Sequence, residues 1–451
     1  MNMDPVGLGT VPYMTKRILI VGGGYVGLYT ALKLQRKLRG PLKRGEYKIT
    51  VVEPESYMTY QPFLPEAAAG NLEPRHVVVP LRKVLKRCEV ITGRVTGIEQ
   101  AAKTATVQVT ATEFREISYE VLVVAVGSIS RTLPIPGLAE HGVGFKTVEE
   151  AILLRNQVLG HLDRAAATLD PEERRRSLTF VVVGGGFAGV EALAEMEDMT
   201  KDALKLYPEL TDKPRWVMVE ATEKILPEVG PELGVYTVER LRERGIEVYL
   251  NTRLESAEKC HIVLSNGESF DAATLVWTAG VKPHPLLQKT DLPLDDKGRL
   301  KATAELTVEG HPLVFAAGDN AAVPDLTKPG EFTAPNAQHA VRQASTLAGN
   351  VHAALHGKGL KPYKHAYAGS VASLGLHKGV AQIYGVKLRG LPAWLMHRTY
   401  HLSRVPTFNR KVRVALDWTL ALFFRRDLVA LGALQHPYEE FELATGQRKA
   451  S

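Results

Sequence analysis

Cysteine is scarce in this sequence, which holds only Cys88 and Cys260 among its 451 residues. The two lie far apart, and neither belongs to a CxxC pair or to a cluster of metal-ligating residues. A disulfide framework and a structural zinc site are therefore excluded, and no bound metal is expected. A reductase that relays electrons through a close pair of redox-active cysteines is excluded for the same reason.

Long apolar runs are also missing. No stretch approaches the roughly 20 residues that a membrane-spanning helix needs, and the N-terminal region lacks the pattern of a signal peptide. We therefore expect a cytoplasmic protein without a transmembrane span, although such a protein can still lie on the surface of a membrane.

Positive charge is concentrated in one region. The chain carries a formal charge of +7, and residues 387–427 alone contain nine Lys and Arg against two Asp, which accounts for all of it. Because the remainder is neutral overall, a general nucleic-acid binder is excluded and one local basic surface is indicated. The apolar content of 45% is ordinary for a globular protein, and the length predicts two or three domains.

Two glycine-rich stretches of one type are present, each directly after a short apolar run. Their glycines are Gly22, Gly24 and Gly27 in the first, and Gly184, Gly186 and Gly189 in the second. Each pattern predicts a buried strand, a tight turn and the first turn of a helix, where the glycines admit a pyrophosphate and the helix N-terminus offers free N–H groups. One such motif is weak evidence, but two in this context indicate that two dinucleotides bind.

The chain continues in the same way after both glycine-rich stretches, which we call the first and the second glycine fingerprint. A strand predicted at 48–52 ends in Glu53, and a strand predicted at 216–219 ends in Glu220. A carboxylate in this position suits the hydroxyl pair of a ribose, and a solvated strand-end carboxylate is the alternative. Closing strands then lead to Gly127 and Gly280. We interpret the repeated layout as a duplication at the level of the fold.

A further short strand, predicted at 313–316, runs into Gly318 and Asp319 after the second unit. We therefore predict that the first domain is interrupted by the second and then resumed. The predicted bounds are 15–137 and 282–375 for the first domain, 138–281 for the second, and 376–451 for a separate C-terminal module. The charged segment 164–177 is predicted to be a helix end and a loop.

These features resemble a known family. The nested arrangement with the motif 315–319 is similar to the two-dinucleotide flavoprotein disulfide reductase superfamily, and three stretches resemble the type II NADH dehydrogenases, which are single-subunit NADH:quinone oxidoreductases. The stretches are Tyr60-Gln61-Pro62-Phe63-Leu64-Pro65-Glu66, Val276-Trp277-Thr278-Ala279-Gly280-Val281 and Ala337-Gln338-His339-Ala340-Val341-Arg342-Gln343. The resemblance implies an α/β protein with two nested Rossmann-like dinucleotide-binding domains, of which the first holds FAD and the second NADH, and an amphipathic C-terminal module that rests on a membrane.

The resemblance also implies roles for individual residues near the flavin. Gln61 would lie against the isoalloxazine ring, Asp319 would bind the ribityl or phosphate part of FAD, and Glu191 would lie near the nicotinamide and the flavin. For Gln61 the alternative is a generic turn beside core aromatic residues, and for Asp319 it is a helix N-cap. For Glu191 the alternative is a carboxylate favoured by the helix dipole.

Gln338 and Gln343 are candidate contacts of the quinone. The family motif carries Gln where this chain has Arg342, and on a helix the neighbouring position points about 100° away. Which of Gln338, Arg342 and Gln343 contacts the acceptor stays open. The adjacent His339 is more often structural than functional in such a setting.

The basic region also contains an amphipathic helix. Residues 412–424 place apolar side chains on a broad helical face, and Arg425 and Arg426 follow. A basic, aromatic helix of this kind suits the headgroup boundary of an anionic bilayer. The alternative is an ordinary amphipathic helix packed on a domain or on the second copy in a homodimer.

Together these features predict an enzyme, a flavoprotein that transfers hydride from NADH to FAD. The resemblance implies that it then passes two electrons to a membrane quinone, menaquinone or ubiquinone. It would lie at the cytoplasmic face of the cell membrane and bind no nucleic acid. NADH is preferred over NADPH because the Glu220 carboxylate would repel a 2′-phosphate. The alternative enzyme is a soluble reductase that passes electrons to a ferredoxin-like protein or to oxygen, and a non-enzymatic alternative is a flavin-binding sensor.

Overall fold

A computed structural model describes residues 15–365, 369–424, 426–431 and 438–445. These residues form two compact units, each built from separate stretches of chain. The first comprises 15–58, 80–129 and 282–365, and the second comprises 59–79, 130–281 and the described residues from 369 onward. The described part of the predicted C-terminal module belongs to the second unit. Arg425 of the predicted basic surface lies outside the described residues.

The strands of the described residues are β1 Lys16–Val21, β2 Tyr47–Glu53, β3 Tyr57–Thr59, β4 Val78–Pro80, β5 Glu89–Thr92, β6 Arg94–Glu99, β7 Thr104–Gln108, β8 Phe114–Ser118, β9 Val121–Val124, β10 Ser128–Ser130, β11 Gly142–Val143, β12 Thr179–Val183, β13 Arg215–Val219, β14 Glu247–Tyr249, β15 Leu254–Ser256, β16 His261–Leu264, β17 Ser269–Asp271, β18 Thr274–Trp277, β19 Val281–Pro283, β20 Leu300–Lys301, β21 Thr307–Val308, β22 His311–Ala316, β23 Ala321–Ala322, β24 Gly369–Ser373, β25 Gly379–Ile383 and β26 Val386–Arg389.

The α-helices of the same residues are α1 Tyr25–Lys37, α2 Arg39–Lys43, α3 Leu64–Ala68, α4 Leu81–Val84, α5 Leu138–His141, α6 Val148–Ala167, α7 Pro171–Ser177, α8 Phe187–Ala203, α9 Pro231–Glu243, α10 Ala337–Leu355, α11 Leu391–Arg404, α12 Phe408–Phe423 and α13 Glu439–Ala444. Short 3-10 turns lie at Gln61–Phe63, Pro74–His76, Leu204–Leu206, Pro227–Val229, Glu258–Cys260, Pro285–Lys289 and Gly318–Asn320.

A six-stranded sheet forms the centre of the first unit, in the order β21-β22-β9-β1-β2-β5. All neighbours from β22 to β5 pair in parallel. The apolar run of β1 is buried from Ile18 to Val21, as expected for a parallel strand covered on both faces. Because β1 has β2 on one side and β9 on the other, its carboxyl end is the point where the strand order reverses, which is where ligands bind in sheets of this type.

A five-stranded parallel sheet forms the centre of the second unit, in the order β11-β18-β12-β13-β14. Its core includes the buried side chains of Val181, Val217 and Leu275. Helix α8 follows β12, and the antiparallel sheet β24-β25-β26 packs on α8 through β24 and on α11. The C-terminal helices are thereby connected to the helix that carries the second glycine fingerprint.

The predicted α/β fold and its internal repeat are confirmed. In the first unit Val21 pairs with Val52 and Val124, and in the second Val183 pairs with Val219 and Trp277. Both fingerprints therefore begin at the end of a central parallel strand. Among the residues that the structure describes, no helix has the length and apolarity needed to cross a bilayer.

Candidate functional site

The first fingerprint, with Gly22, Gly24 and Gly27, forms the turn between β1 and the start of α1, which we call the first cradle. Gly22 has a φ of +105°, and a Cβ added there would lie 2.3 Å from the Ala125 carbonyl oxygen, so only glycine fits the turn. A Cβ on Gly27 would lie 1.8 Å from the Gly22 carbonyl oxygen. At Gly24, by contrast, an added Cβ meets no described atom within 4 Å, and this residue caps α1 without a side-chain hydrogen bond. The helix N-terminus therefore opens onto free space, as an anion-binding turn requires.

Glu53 lies beside this cradle at the end of β2. Its Oε2 accepts a hydrogen bond of 2.5 Å from the Gly23 backbone N–H. Burial raises the pKa of the Glu53 carboxyl, although hydrogen bonds from the backbone oppose the shift. The carboxylate thus lies next to the glycine turn, where the sequence predicts a ribose.

The second fingerprint repeats this geometry between β12 and α8. Gly184 has a φ of +112°, and a Cβ on Gly189 would lie 2.0 Å from the Gly184 carbonyl oxygen. The position of Gly186 is open, since an added Cβ again meets no described atom within 4 Å. Glu220 Oε2 accepts 2.6 Å from the Gly185 N–H, and its Oε1 accepts 2.8 Å from the Thr222 N–H. The two cradles therefore share the same arrangement of packed glycines, open glycine and strand-end carboxylate.

The closing glycines also lie in open backbone turns. Gly127 has a φ of +65° and Gly280 a φ of +88°, and an added Cβ at either would meet no described atom within 4 Å. The Gly127 N–H donates 3.0 Å to Oδ1 of Asn320, a fully buried residue whose Nδ2 donates to the Val124 carbonyl oxygen. Asn320 was missed by the sequence reasoning, although it directly follows the predicted Gly318-Asp319 pair.

Asp319 lies in the 3-10 turn Gly318–Asn320 of the first unit. The helix N-cap considered for Asp319 is not formed, because Ala317 precedes the turn and no side-chain cap is present. The Asp319 Oδ2 instead accepts 2.7 Å from the Ser128 hydroxyl. The turn thus connects two loops at the carboxyl ends of β9 and β22, on the same sheet as the first cradle.

Gln343 is fully buried on α10. Its Oε1 accepts 2.7 Å from the Gly318 N–H, and its Nε2 donates 3.0 Å to the Thr333 hydroxyl. These contacts give Gln343 a direct part in holding the turn that carries Asp319.

The other polar residues at the start of α10 lie close to one another. Asn336 caps the helix by accepting from the His339 N–H. The Gln338 Oε1 lies 3.3 Å from His365 Nε2, and Arg342 donates to the Gln338 backbone carbonyl. His339 Nδ1 lies 2.9 Å from the Tyr363 hydroxyl, and burial lowers the pKa of this imidazole.

In the second unit, Glu191 lies on the first turns of α8 and is buried. Its Oε1 accepts 2.8 Å from the Ser373 N–H and lies 3.0 Å from Nε2 of the buried His397. Burial lowers the pKa of His397, but the charge and hydrogen bond of Glu191, together with the charges of Glu66 and Glu195, outweigh it, so the net shift is upward. Gln61 lies elsewhere in this unit and donates 3.1 Å to the Lys146 carbonyl oxygen.

The sequence reasoning missed the buried carboxylates Glu66 and Glu195 of this unit, and also Glu197, which pairs with Arg244. Glu66 Oε2 accepts 2.8 Å from Arg398 Nη2 and 2.7 Å from the Trp418 indole N–H. Glu195 follows Glu191 by one helical turn and is fully buried. A signal for Glu66 was available, because it closes the first family-like stretch, whereas none marked Glu195.

Both cradles fit a dinucleotide. Each offers an open glycine at a helix N-terminus for a pyrophosphate and a carboxylate at the adjacent strand end for a ribose. Such paired cradles define a dinucleotide-binding oxidoreductase. In agreement, a family model described as pyridine nucleotide-disulphide oxidoreductase matches residues 14–344.

Relatives with assigned names identify the family more narrowly than the family model does. The chain is 29% identical over 431 residues to the type II NADH:quinone oxidoreductase Ndh of Mycobacterium tuberculosis, covering 92% of this chain and 90% of the relative. It is 31% identical over 385 residues to the type II NADH:quinone oxidoreductase of Staphylococcus epidermidis, covering 84% of this chain and 92% of the relative. The chain therefore belongs to the pyridine nucleotide-disulphide oxidoreductase family and, within it, to the type II NADH:quinone oxidoreductases.

Solved structures show the same fold. The structure of NDH2 from Plasmodium falciparum in complex with NADH has a TM-score of 0.85 at 19% identity and covers 92% of this chain and 100% of that chain. The sulfide:quinone oxidoreductase of Aquifex aeolicus has a TM-score of 0.68 at 17% identity, covering 92% and 96%. The family inferred from the three motif stretches is confirmed by the family model and the named relatives.

Proposed function

We propose that this chain is an FAD-dependent NADH:quinone oxidoreductase that delivers two electrons to a membrane quinone, menaquinone or ubiquinone. The observation that carries the proposal is the pair of equivalent cradles in one chain whose relatives are named for this activity. The lack of a close cysteine pair supports direct hydride transfer over a thiol relay. Bound FAD supplies the chemistry that accepts a hydride and passes on two electrons.

The residues of the two cradles would hold the nucleotides. In the first, Gly22, Gly24 and Gly27 would take the pyrophosphate of FAD, Glu53 a ribose, and the turn with Asp319 a further part of the cofactor. In the second, Gly184, Gly186 and Gly189 would take NADH. Gln343 positions Gly318 beside the first cradle, and Gln338, Arg342 and Gln343 remain the candidates for contact with the acceptor.

Preference for NADH over NADPH follows from Glu220. Its carboxylate lies at the second cradle and is held by the Gly185 N–H and the Thr222 N–H. A 2′-phosphate there would meet a fixed negative charge. We therefore expect slow reduction by NADPH, and a protein that prefers NADPH would contradict the assignment.

The exposed face of α12 supports binding to an anionic membrane surface at the cytoplasmic side. Phe408 and Phe423 are 82% and 78% exposed, and Leu416 and Leu420 are exposed between them. Arg404, Arg410, Lys411 and Arg413 lie on or next to the same helix. An apolar stripe with flanking basic side chains is the arrangement that binds at a lipid headgroup boundary.

Anaerobic stopped-flow mixing tests the catalytic proposal. NADH is expected to bleach the bound flavin, and a soluble quinone is expected to restore its colour. Flavin that NADH does not bleach would refute the enzyme assignment, and recovery only with a ferredoxin or with oxygen would favour the soluble reductase.

Liposome flotation tests the membrane surface. The protein is expected to float with vesicles of anionic lipid and to lose this in a Phe423→Ser variant, with Phe114→Ser, an exposed phenylalanine of the first unit, as the matched control. Equal flotation of both variants would contradict the role of α12. Light scattering on the same samples measures whether the protein is a homodimer.

A further inference from the structure

Three carboxylates that are almost fully buried lie in one polar cluster of the second unit: Glu66 on α3, and Glu191 and Glu195 on α8. Burying an ionised carboxylate is costly unless a cation or several donors compensate it. The groups that stabilise the negative charge differ among the three carboxylates, and this difference indicates which of them holds a proton.

Glu66 and Glu191 each have a basic partner. Glu66 is paired with Arg398, whose guanidinium lies between the rings of Trp394 and Trp418 at 4.1 and 4.7 Å from their centroids. Glu191 lies 3.0 Å from the imidazole of His397 and accepts the Ser373 N–H. Both therefore have a partner that stabilises the ionised form.

Glu195 accepts side-chain hydrogen bonds from neutral groups. The Ser373 hydroxyl donates 2.9 Å to its Oε1, and the Asn71 amide donates 3.1 Å to its Oε2. The charged groups that act on it are Glu66 from α3, Asp198 from α8, His397 and Arg398 from α11, and Arg426 after α12. Glu191 from α8 shares its partner Ser373. Arg426 is held by Asp202 at 2.9 Å. Burial, with the charge of Glu66, raises the pKa of Glu195 to about 7.

Ser373 joins the two carboxylates of α8. Its backbone N–H holds Glu191 and its hydroxyl holds Glu195, so both acids, one helical turn apart, contact the same residue. The hydroxyl can donate to an ionised Glu195 or accept from a protonated one, and a proton gained by one acid lowers the repulsion felt by the other.

We propose that Glu195 is the proton-storing residue of this enzyme, which holds one proton beside the Glu191 carboxylate and supplies it through that carboxylate in each turnover. The inference rests on the proposed function. Reduction of a quinone to a quinol by NADH takes one hydride from the nucleotide and one proton from water, so a proton must enter for each turnover. The proton moves from the Glu195 carboxyl to the Glu191 carboxylate and from there to a quinone oxygen, which leaves Glu191 ionised again. A proton from water then restores the Glu195 carboxyl.

Infrared difference spectroscopy tests the protonation state without turnover. Spectra of the holoenzyme between about pH 5 and about pH 9 are expected to contain the carbonyl band of a buried carboxylic acid that titrates near neutral pH. Glu195→Gln, which resembles the protonated acid in shape, is expected to remove the band. Glu239→Gln, the same change at an exposed position of α9, is the matched control and is expected to keep it.

Transient kinetics test the role in the reaction. Reduction of the flavin by NADH requires no added proton and is expected to be equal in the wild type and in Glu195→Gln. Reoxidation by quinone is expected to fall about tenfold per pH unit above about pH 7 in the wild type and to lose this inflection in the variant. Ser373→Ala, which keeps the N–H bond to Glu191, is expected to shift the inflection upward by up to about one pH unit because Glu195 loses a donor.

The outcomes separate the two proposals. A wild-type flavin that NADH fails to reduce, or that quinone fails to reoxidise, would overturn the proposed function. A functional wild type whose band and inflection both persist in Glu195→Gln would overturn the proton-storing role alone. If Glu195→Gln does not fold, an unshifted inflection in Ser373→Ala has the same meaning.

Discussion

Substitution of Gly186 by alanine separates nucleotide binding from folding. The backbone at Gly186 has a φ of −75° and a ψ of −178°, which any residue adopts, and the new Cβ meets no described atom within 4 Å. We therefore expect the free energy of unfolding to change by less than about 1 kcal/mol. The same Cβ would occupy the space in which a pyrophosphate approaches the backbone.

The cost to NADH is expected to be about 1–3 kcal/mol, the usual effect of one misplaced methyl group in a binding pocket, or about 5- to 150-fold in Kd. The dependence of flavin bleaching on NADH concentration measures this effect, and the flavin content is expected to stay unchanged because the first cradle is intact.

The neighbouring Gly189 provides the control. Its added Cβ would lie 2.0 Å from the Gly184 carbonyl oxygen, so Gly189→Ala has to move backbone and is expected to destabilise the fold by about 1–3 kcal/mol. If Gly186→Ala binds NADH as tightly as the wild type while retaining FAD, the assignment of the second cradle to NADH is wrong.

Three further changes test other contacts. Arg398→Met leaves Glu66 buried without its cation and is expected to lower the free energy of unfolding by about 3–5 kcal/mol in denaturant titrations; a loss below about 1 kcal/mol would contradict this. Folding raises the pKa of His397, so its contribution to stability is present below the unfolded pKa of about 6.5 and is lost as the pH rises through the higher folded pKa. The difference in the free energy of unfolding between the wild type and His397→Leu should therefore shrink with rising pH. A difference that widens would disprove the sign. Gly318→Ala adds a Cβ 2.8 Å from Val26 Cγ2 at a φ of +76° and is expected to cost about 1–3 kcal/mol and to reduce FAD retention, measured as flavin absorbance per protein.

The cradles could be predicted from sequence because their determinants are local. An apolar strand, a glycine turn and a helix start lie within about ten residues, and the strand-end acids Glu53 and Glu220 follow at the next strand. The segment 164–177, predicted as a helix end and a loop, contains the helix α7, and the prediction of a loop was wrong there. Asp170 caps that helix by accepting from the Glu172 N–H, and Pro171 occupies its first turn, so the signal was present.

The buried polar cluster could not be predicted because its members come from distant segments. Arg398 and Glu66 are 332 positions apart, and Glu195 and Ser373 are 178 apart. No short-range pattern identifies such partners, and the sequence distinguishes a buried Glu from a solvated one only when periodicity is strong. The burial of Gln343 could not be predicted from sequence for a related reason. Its position on α10 was predicted, but its full burial depends on packing around Gly318.

The packing of Arg398 between two indoles also provides the enzyme with an intrinsic optical reporter. The chain contains four tryptophans. Two of them, Trp394 and Trp418, flank this guanidinium, and Trp216 is stacked on Phe180 in the core of the second unit. Indole emission is sensitive to a charge beside the ring, so the native fluorescence should follow any movement of α11 and α12 without an attached dye.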